Sequence, residues 1–274
     1  MKDITSPANP IVKKIKSLAI KKYRDEYGLF FVEGEDRVRE MLEAGWECDA
    51  LLYTPSPSGR GRGPATAGRE RETLGGQSNA IPSPRPSPGG RGGSEFQVTP
   101  EIMQRITGRD NAQDVLGVFK PRWHDMPQTG EVYIALEGVR DPGNLGTVIR
   151  TAEATGMAGV ILLGQTCDPW SPEVVRATVG SLARVPLIRA TANDLKKWQG
   201  KIYGTHLEGA VDYRTVSYDA PLIIMMGSEQ SGLSSEAVAV CDTLIKIPMT
   251  GAVESLNLGV SAGVVMYEIL RADK

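Results

Sequence analysis

The sequence is poor in the residues that build metal centres and disulfide frameworks. Its three cysteines, Cys48, Cys167 and Cys241, lie far apart and form no C-x-x-C pair. The two histidines, His124 and His206, also lack the spacing of metal ligands. This pattern argues against a zinc site or a disulfide scaffold and is typical of a reducing compartment. We therefore predict a cytoplasmic protein without a metal site.

Long apolar runs are also missing. No run approaches the roughly 20 residues that a membrane-spanning helix needs. The first residues, MKDITSPANPIVKKIKSL, contain no apolar core of a secretory signal. The formal net charge is −2, which does not mark the whole chain as a nucleic-acid binder. These absences leave a soluble globular protein as the expectation.

Residues 56–93 differ from the rest of the chain in composition. This segment contains 10 Gly, 6 Pro, 5 Ser and 6 Arg in 38 residues. It has too little apolar surface to offset the entropy of ordering, so we predict a disordered, low-complexity insertion. Two interpretations remain open, an arm that touches RNA and a tolerated loop insertion.

Positive charge is concentrated near the N-terminus in a run without an acidic residue between its members. The run, which we call the basic stripe, consists of Lys13, Lys14, Lys16, Lys21, Lys22 and Arg24. Such a stripe can bind phosphate even on an acidic protein. A solvated helix face accounts for it equally well.

Apolar runs and helical patterns alternate on both sides of the insertion, which predicts two α/β domains. We expect an N-terminal domain over 1–120, a linker over 121–130 and a second domain over 131–274. In the second domain, runs such as VYIALEGV and PLIIMMG are almost continuously apolar. Strands buried on both faces look like this, so we predict a parallel sheet with its ligand beyond the carboxyl ends of the strands.

We call the segment that directly follows the carboxyl end of a predicted strand a strand exit. The first strand exit contains the stretch DPGNLGTVIR. Asn144 is a good N-cap for the following helix, whose N-terminus is suited to phosphate. Gly146 and Arg150 share a face away from the apolar stripe. Gly146 would let a backbone or a ligand approach closely, whereas Arg150 serves either a ligand or a surface ion pair.

Two other exits carry small and polar residues. GSEQSG, which follows PLIIMM, matches neither G-x-G-x-x-G nor a Walker A motif. Its Glu229 is expected to pair with a cation such as Arg150 or to cap the next helix. In TGAVESLNLGVSAG, Ser255 is predicted as the N-cap and Asn257 lies in the first helical turn.

Together the three exits resemble the SpoU (TrmH-like) family of RNA 2′-O-ribose methyltransferases, in the SPOUT superfamily. The matching motifs are NLGTVIR, MGSEQSGLS and IPMTGAVESLNLGVSAG, in that order. The segments ITSPANPIVKKIKSL and FFVEG resemble the substrate-binding domain often attached to these enzymes. The resemblance extends over nearly the whole chain except 56–93.

This resemblance implies a fold, a cofactor and an assembly. It implies a trefoil-knotted parallel-sheet catalytic domain, a smaller ribosomal-protein-like N-terminal α/β domain that binds RNA, a homodimer and S-adenosylmethionine as methyl donor. Small residues on the last helix are the expected dimer surface. The residues that the resemblance assigns to the donor pocket are Thr205, Gly227, Ile247, Met249 and Leu256.

For the reaction, the resemblance places Arg150 at the centre. Because arginine stays protonated, we expect it to bind an RNA phosphate and to stabilise developing negative charge. The residues expected to orient the ribose and Arg150 are Asn144, Glu229, Ser255 and Asn257. Ribosomal RNA is the preferred substrate, and transfer RNA and a non-catalytic RNA- or ribosome-binding role remain alternatives.

Overall fold

The computed structural model describes residues 2–55, 93–207, 210–253 and 255–272. Within these ranges the chain forms two β-sheets, and each sheet is built from its own half of the sequence. The predicted insertion at 56–93 lies outside the described residues except for Gly93. No helix in the described ranges combines the length and the apolarity that a membrane crossing requires.

The N-terminal sheet is mixed. Its strands are β1 Lys2–Ile4, β2 Phe30–Glu33, β3 Cys48–Tyr53, β4 Ser94–Val98 and β5 Val115–Phe119, in the spatial order β1-β4-β3-β5-β2. Strands β1, β4 and β3 are parallel, while β5 pairs antiparallel with β3 and β2. The helices of this half are α1 Pro10–Ser17, α2 Lys21–Tyr27, α3 Glu35–Glu43 and α4 Pro100–Thr107.

The C-terminal sheet is parallel at every pairing, which confirms the predicted architecture. Its strands are β6 Val132–Glu137, β7 Gly159–Leu163, β8 Leu187–Ala190, β9 Lys201–Thr205, β10 Val211–Asp212, β11 Leu222–Met226 and β12 Thr243–Lys246. Their order is β10-β12-β9-β11-β6-β7-β8. The helices are α5 Pro142–Ala154, α6 Pro172–Ala177, α7 Ala192–Leu195, α8 Ser235–Val238 and α9 Leu258–Ala272. The trefoil knot stays a prediction.

Helices on both faces explain the apolar strands of this sheet. In β11, Ile223, Ile224 and Met225 are all fully buried, although neighbouring side chains in a strand point to opposite faces. Gly146 in α5 lets α6 pack closely, because a Cβ there would lie 2.3 Å from the Cβ of Ala177. Of the two open interpretations of Gly146, the structure therefore selects close helix packing.

The two halves share an apolar core. Phe30 and Trp46 of the N-terminal half pack against Trp170 of the C-terminal half, with ring centroids 5.0 and 5.8 Å apart. The indole N–H of Trp46 donates a hydrogen bond to the carbonyl of Ala183 at 3.0 Å. Aromatic pairs of this kind add about 0.5–1.5 kcal/mol each beyond the area they bury. The interface is therefore built like a domain core.

Ion pairs also cross this interface, and one of them corrects the basic stripe. Arg24 is only 5% exposed, and its guanidinium lies 2.8 Å from the carboxylate of Asp168, which is 8% exposed. Arg24 also donates to the carbonyl of Leu18. Its predicted contact with RNA is therefore wrong, because α2 turns this side chain inward while Lys21 and Lys22 remain exposed.

Candidate active site at the strand ends

A cavity of about 500 Å³ opens at the carboxyl ends of β9, β11 and β12. Thr205 ends β9, Gly227 follows β11 and Ile247 follows β12. Because these strands are parallel neighbours, their ends meet at one edge of the sheet. The cavity wall contains every residue that the resemblance assigned to the donor, namely Thr205, Gly227, Ile247, Met249 and Leu256.

The loop after β11, residues 227–232, is folded tightly against itself. A Cβ on Gly227 would lie 2.0 Å from the carbonyl carbon of Gly232, so only glycine fits there. Gly232 has a positive φ of 63°, which glycine adopts readily. The Ser231 N–H donates to the Ser228 hydroxyl oxygen at 3.2 Å. The loop therefore presents a defined backbone surface to the cavity.

A hydrogen bond joins the first and second strand exits. The side-chain amide of Asn144 donates to the carboxylate of Glu229. Asn144 is buried, whereas Glu229 is exposed and lines the cavity. The predicted partners of Glu229 were a cation and the next helix, but it pairs with a neutral amide, and Ser234 caps α8 instead.

Asn144 is available for this contact because it does not cap its helix. The side chain of Asp141 accepts the Asn144 N–H at 2.7 Å, so Asp141 is the N-cap of α5. The prediction of Asn144 as N-cap is therefore wrong by three residues. The physical reason is that aspartate followed by proline is an even better helix start, since Pro142 fits the first helical position.

A similar correction applies to the third exit. Helix α9 begins at Leu258, and the side-chain oxygen of Asn257 accepts the Val260 N–H at 3.3 Å. Asn257 therefore has the capping role that the sequence predicted for Ser255. Ser255 is exposed and lines the cavity.

Arg150 lies on the exposed side of α5, beyond the cavity wall. It follows Asn144 by six residues, which is about 9 Å along a helix axis. Its guanidinium forms no ion pair with any residue in the described ranges. The structure thus brings Glu229 and Ser255 to the cavity, places Asn144 behind Glu229 as its hydrogen-bond donor, and leaves Arg150 free to meet an external anion.

Glu137, which sequence reasoning missed, anchors the far end of the 227–232 loop. Its carboxylate accepts hydrogen bonds from the Ser234 N–H at 2.8 Å and from the Ser234 hydroxyl at 2.7 Å. Since Glu137 is the last residue of β6, the contact joins the first exit to the end of the second. The feature of the sequence that could have indicated this role is an acidic residue at the end of the apolar run VYIALE.

We expect Glu137→Gln to weaken donor binding about 5–20-fold, because glutamine keeps one acceptor oxygen but loses the charge assistance of these hydrogen bonds, worth about 1–1.8 kcal/mol. The maximal rate at saturating donor should change by less than twofold. Titration calorimetry with S-adenosylmethionine measures the first quantity and initial rates measure the second. Glu131→Gln, an exposed carboxylate just before β6, is the matched control. Unchanged donor affinity in Glu137→Gln would contradict the anchoring role.

A cysteine beside the first exit offers no reactive thiolate. Burial, followed by the nearby carboxylates of Asp141, Asp168 and Glu229, raises the pKa of Cys167 from 9.0 to about 11. The thiol is therefore protonated at neutral pH and is a poor nucleophile. Within the described residues, no group of His, Cys, Asp and Glu is arranged to hold a metal ion.

Two family models match the chain. The SpoU rRNA methylase family matches residues 131–267. The MRM3-like substrate binding domain matches residues 9–117. The first match contains all three strand exits, and the second contains the basic stripe.

Individual relatives extend the similarity to the full length. A crystal structure of an AdoMet-bound rRNA methyltransferase from Sinorhizobium meliloti is 40% identical, covers 98% of this chain and 97% of its own, and has a TM-score of 0.84. The 23S rRNA (guanosine(2553)-2′-O)-methyltransferase RlmP of Bacillus subtilis is 28% identical over 277 residues, which cover 98% of this chain and 99% of RlmP. A further RNA 2′-O ribose methyltransferase of known structure is 25% identical, covers 99% of each chain and has a TM-score of 0.73.

The motifs, the two-domain arrangement and the relatives all indicate the same family. The three strand exits that line or flank the cavity all lie inside the matched family region. The protein belongs to the SpoU rRNA methylase family.

Proposed function

We propose that this protein transfers a methyl group from S-adenosylmethionine to a ribose 2′-hydroxyl of ribosomal RNA. The observation that carries the proposal is the cavity of about 500 Å³ at three strand ends, with Asn144 and Glu229 joined at its rim. Two relatives support the donor and the substrate. The relative from Sinorhizobium meliloti is AdoMet-bound, and RlmP is named for 2′-O-methylation of 23S rRNA.

The cavity fits the donor in size and in chemistry. Its volume lies within the roughly 300–1,000 Å³ of small-molecule sites. Ile247, Met249 and Leu256 supply an apolar wall for the adenine ring, and the Glu229 carboxylate at the rim complements positive charge. S-adenosylmethionine supplies an electrophilic methyl group on a sulfonium. The protein therefore needs to bind and orient an RNA hydroxyl beside it.

Arg150 is the proposed catalytic residue. Its guanidinium is exposed on α5, so it can bind an RNA phosphate next to the target ribose. From there it stabilises the negative charge that develops on the ribose 2′-oxygen as the proton leaves. A phosphate oxygen or a water molecule accepts the proton, because arginine remains protonated.

The remaining polar residues orient the reacting groups. Glu229, fixed by Asn144, presents a carboxylate at the cavity rim, and the Ser255 hydroxyl faces the same space. The carboxylate can accept hydrogen bonds from the ribose hydroxyls, and the serine hydroxyl can donate or accept them. Asn257 caps α9 and so holds the segment that carries Ser255 and Leu256. Correct orientation of this kind supplies a large share of the rate in displacement reactions.

RNA binding is assigned to the exposed part of the basic stripe. Lys13 and Lys16 are exposed on α1 and form no ion pair with any residue in the described ranges. We expect Lys13→Ala/Lys16→Ala to weaken RNA binding and to reduce the slope of log K against log salt by about 1.4–1.8, which is about 0.7–0.9 for each lysine. Filter binding at several salt concentrations measures this slope, and Lys196→Ala is the control. An unchanged slope would refute the assignment.

A homodimer is proposed through the exposed face of α9. Val260 and Tyr267 are 54% and 55% exposed and lie seven residues apart on this face. The dimer surface expected at small residues needs correction, because Gly259 and Ala262 are buried within the chain. The outward stripe combines the exposed Val260 and Tyr267 with the half-buried Gly263.

We expect Val260→Asp/Tyr267→Asp to be monomeric at micromolar concentration where the wild type is dimeric. The physical reason is that two carboxylates cannot be desolvated in an apolar interface without a large cost. Analytical ultracentrifugation measures the mass. Ile20→Asp, at another exposed apolar side chain, is the control and should remain dimeric. A monomeric wild type would exclude the dimer.

The deciding experiment for the function is transfer of a labelled methyl group from S-adenosylmethionine to purified RNA, with mapping of the modified nucleotide. The proposal predicts label on a ribose 2′-oxygen of ribosomal RNA. Label on transfer RNA would show that transfer RNA, and not ribosomal RNA, is the substrate. Tight RNA binding without transfer to any RNA would favour a non-catalytic binding protein.

A further inference from the structure

A second, smaller cavity lies in the N-terminal half, between α1 and the sheet. Its volume is about 180 Å³. That is too large for a single ordered water, at about 30 Å³, and below the roughly 300 Å³ of larger ligand sites. It therefore suits a single flat ring system. The residues that line it are Ile11, Lys14, Ile15, Leu18, Leu29, Asp49, Ala50, Ser94, Phe96 and Val118.

The cavity has apolar walls and a charged mouth. Ile15, Leu18 and Phe96 are buried in its walls. At the mouth, the Lys14 ammonium and the Asp49 carboxylate lie 4.0 Å apart, and their side chains are 43% and 44% exposed. The Lys14 ammonium also lies 5.4 Å from the centre of the Tyr27 ring. Both charged groups are solvated and loosely paired, so they are able to bind a ligand.

Two irregularities place these charges at the cavity. Lys14 belongs to the stripe of α1 that also carries Ile11, Ile15 and Leu18, where helical spacing favours an apolar residue. On the sheet side, the register of β3 against β5 shifts between Cys48 and Ala50, which leaves Asp49 as the extra residue of a β-bulge. Bulges often serve to re-aim a side chain at a site.

We propose that this cavity binds an unstacked guanine base of the substrate RNA. This inference rests on the proposed function. The walls would hold the ring faces, as apolar and aromatic side chains do for splayed RNA bases. A carboxylate accepts hydrogen bonds only, and the guanine N1–H and N2–H₂ groups are adjacent donors. The Lys14 ammonium donates to the guanine O6. Lys13 and Lys16 are exposed on other faces of the same helix.

The charge of Asp49 makes the proposal sharply testable. Asp49→Asn removes a negative charge from a basic surface, so general electrostatics predicts tighter RNA binding. The guanine site predicts the opposite, a loss of about tenfold in RNA affinity, as for the loss of a bidentate base contact. Asp25→Asn, at an exposed acid of the neighbouring helix α2, is the control and should bind RNA as tightly as wild type or slightly more tightly.

The experiment measures binding of the full chain to ribosomal RNA, and separately to the four nucleoside monophosphates by NMR titration. We expect wild type to prefer GMP over AMP, CMP and UMP, and both Asp49→Asn and the cavity-filling Ala50→Leu to lose this preference. Equal binding of all four nucleotides, or tighter RNA binding by Asp49→Asn, would overturn the guanine site. Neither readout requires methyl transfer, so a missing transferase activity would refute the proposed function alone.

Discussion

Replacing Arg150 with alanine is expected to lower the maximal rate of methyl transfer by at least about 100-fold, or roughly 2.7 kcal/mol of transition-state stabilisation. The reason is that this guanidinium is the proposed source of positive charge for the ribose 2′-oxygen. Because Arg150 lies outside the cavity wall, donor affinity should stay within about twofold of wild type. Single-turnover assays and calorimetry separate the two quantities.

Two further variants make the Arg150 result specific. Arg150→Lys keeps the positive charge but cannot bind a phosphate with two parallel hydrogen bonds, so we expect an intermediate rate. Arg105→Ala removes an exposed arginine from α4 in the other half of the chain and should leave the rate unchanged. If Arg150→Ala retains the full maximal rate, the proposed catalytic role is wrong.

Breaking the buried pair between the two halves is expected to have the largest effect on stability. Arg24→Met leaves the Asp168 carboxylate buried and without its cation, which we expect to cost about 3–5 kcal/mol of unfolding free energy. Replacing both partners, as in Arg24→Met/Asp168→Asn, should restore at least half of that loss. The asparagine oxygen can still accept the backbone N–H of Trp170, which donates to the Asp168 carboxylate at 3.0 Å. Urea unfolding followed by tryptophan fluorescence measures these differences.

An exposed ion pair on the same helix provides the matched control. Lys21 and Asp25 lie 2.6 Å apart with side chains that are 57% and 61% exposed. Lys21→Ala should cost less than about 0.5 kcal/mol, since solvent already screens this pair. If Arg24→Met loses as little unfolding free energy as Lys21→Ala, the buried pair contributes little to the packing of the two halves against each other.

The core-like interface has a consequence for RNA recognition. Phe30, Trp46 and Trp170 pack across it, and Glu33 pairs with Arg176 at 3.2 Å beside them. Glu33 is only 4% exposed, whereas the side chain of Arg176 is 31% exposed. Separating the halves would expose aromatic surface and break these pairs. The interface thus holds the basic stripe at a set distance from the strand ends.

Much of the catalytic half was predictable because a parallel sheet with two covered faces demands apolar strands. The sequences around β6, β11 and β12 are apolar runs of this kind, and the polar residues that follow them locate one edge of the sheet. Edge strands escaped the prediction. Among the named strands of the described residues, β8 has β7 as its one neighbour, and a single bridge to His124 covers its outer side. Its Arg189 is exposed and stacks over Trp123 at 4.0 Å. A strand at the edge of a sheet needs no continuous apolar run.

Local sequence rules selected the right residue types and sometimes the wrong roles. Asn144 and Ser255 both satisfy N-cap preferences, yet Asp141 and Asn257 cap the helices. Capping energies differ little among Asp, Asn and Ser, so tertiary contacts decide between neighbouring candidates. The Asn144 amide is instead committed to Glu229, a residue 85 positions away in the chain.

The sequence alone determined the two α/β halves, the three polar strand exits and the family, because periodicity and motif spacing are local properties of a chain. Only the tertiary structure decided which charges are exposed. Arg24 and Lys22 belong to one short basic run, but helix geometry turns the first into the shared core and the second toward solvent. The Glu137–Ser234 anchor and the cavity beside Asp49 likewise required strands and helices from distant segments to be packed together.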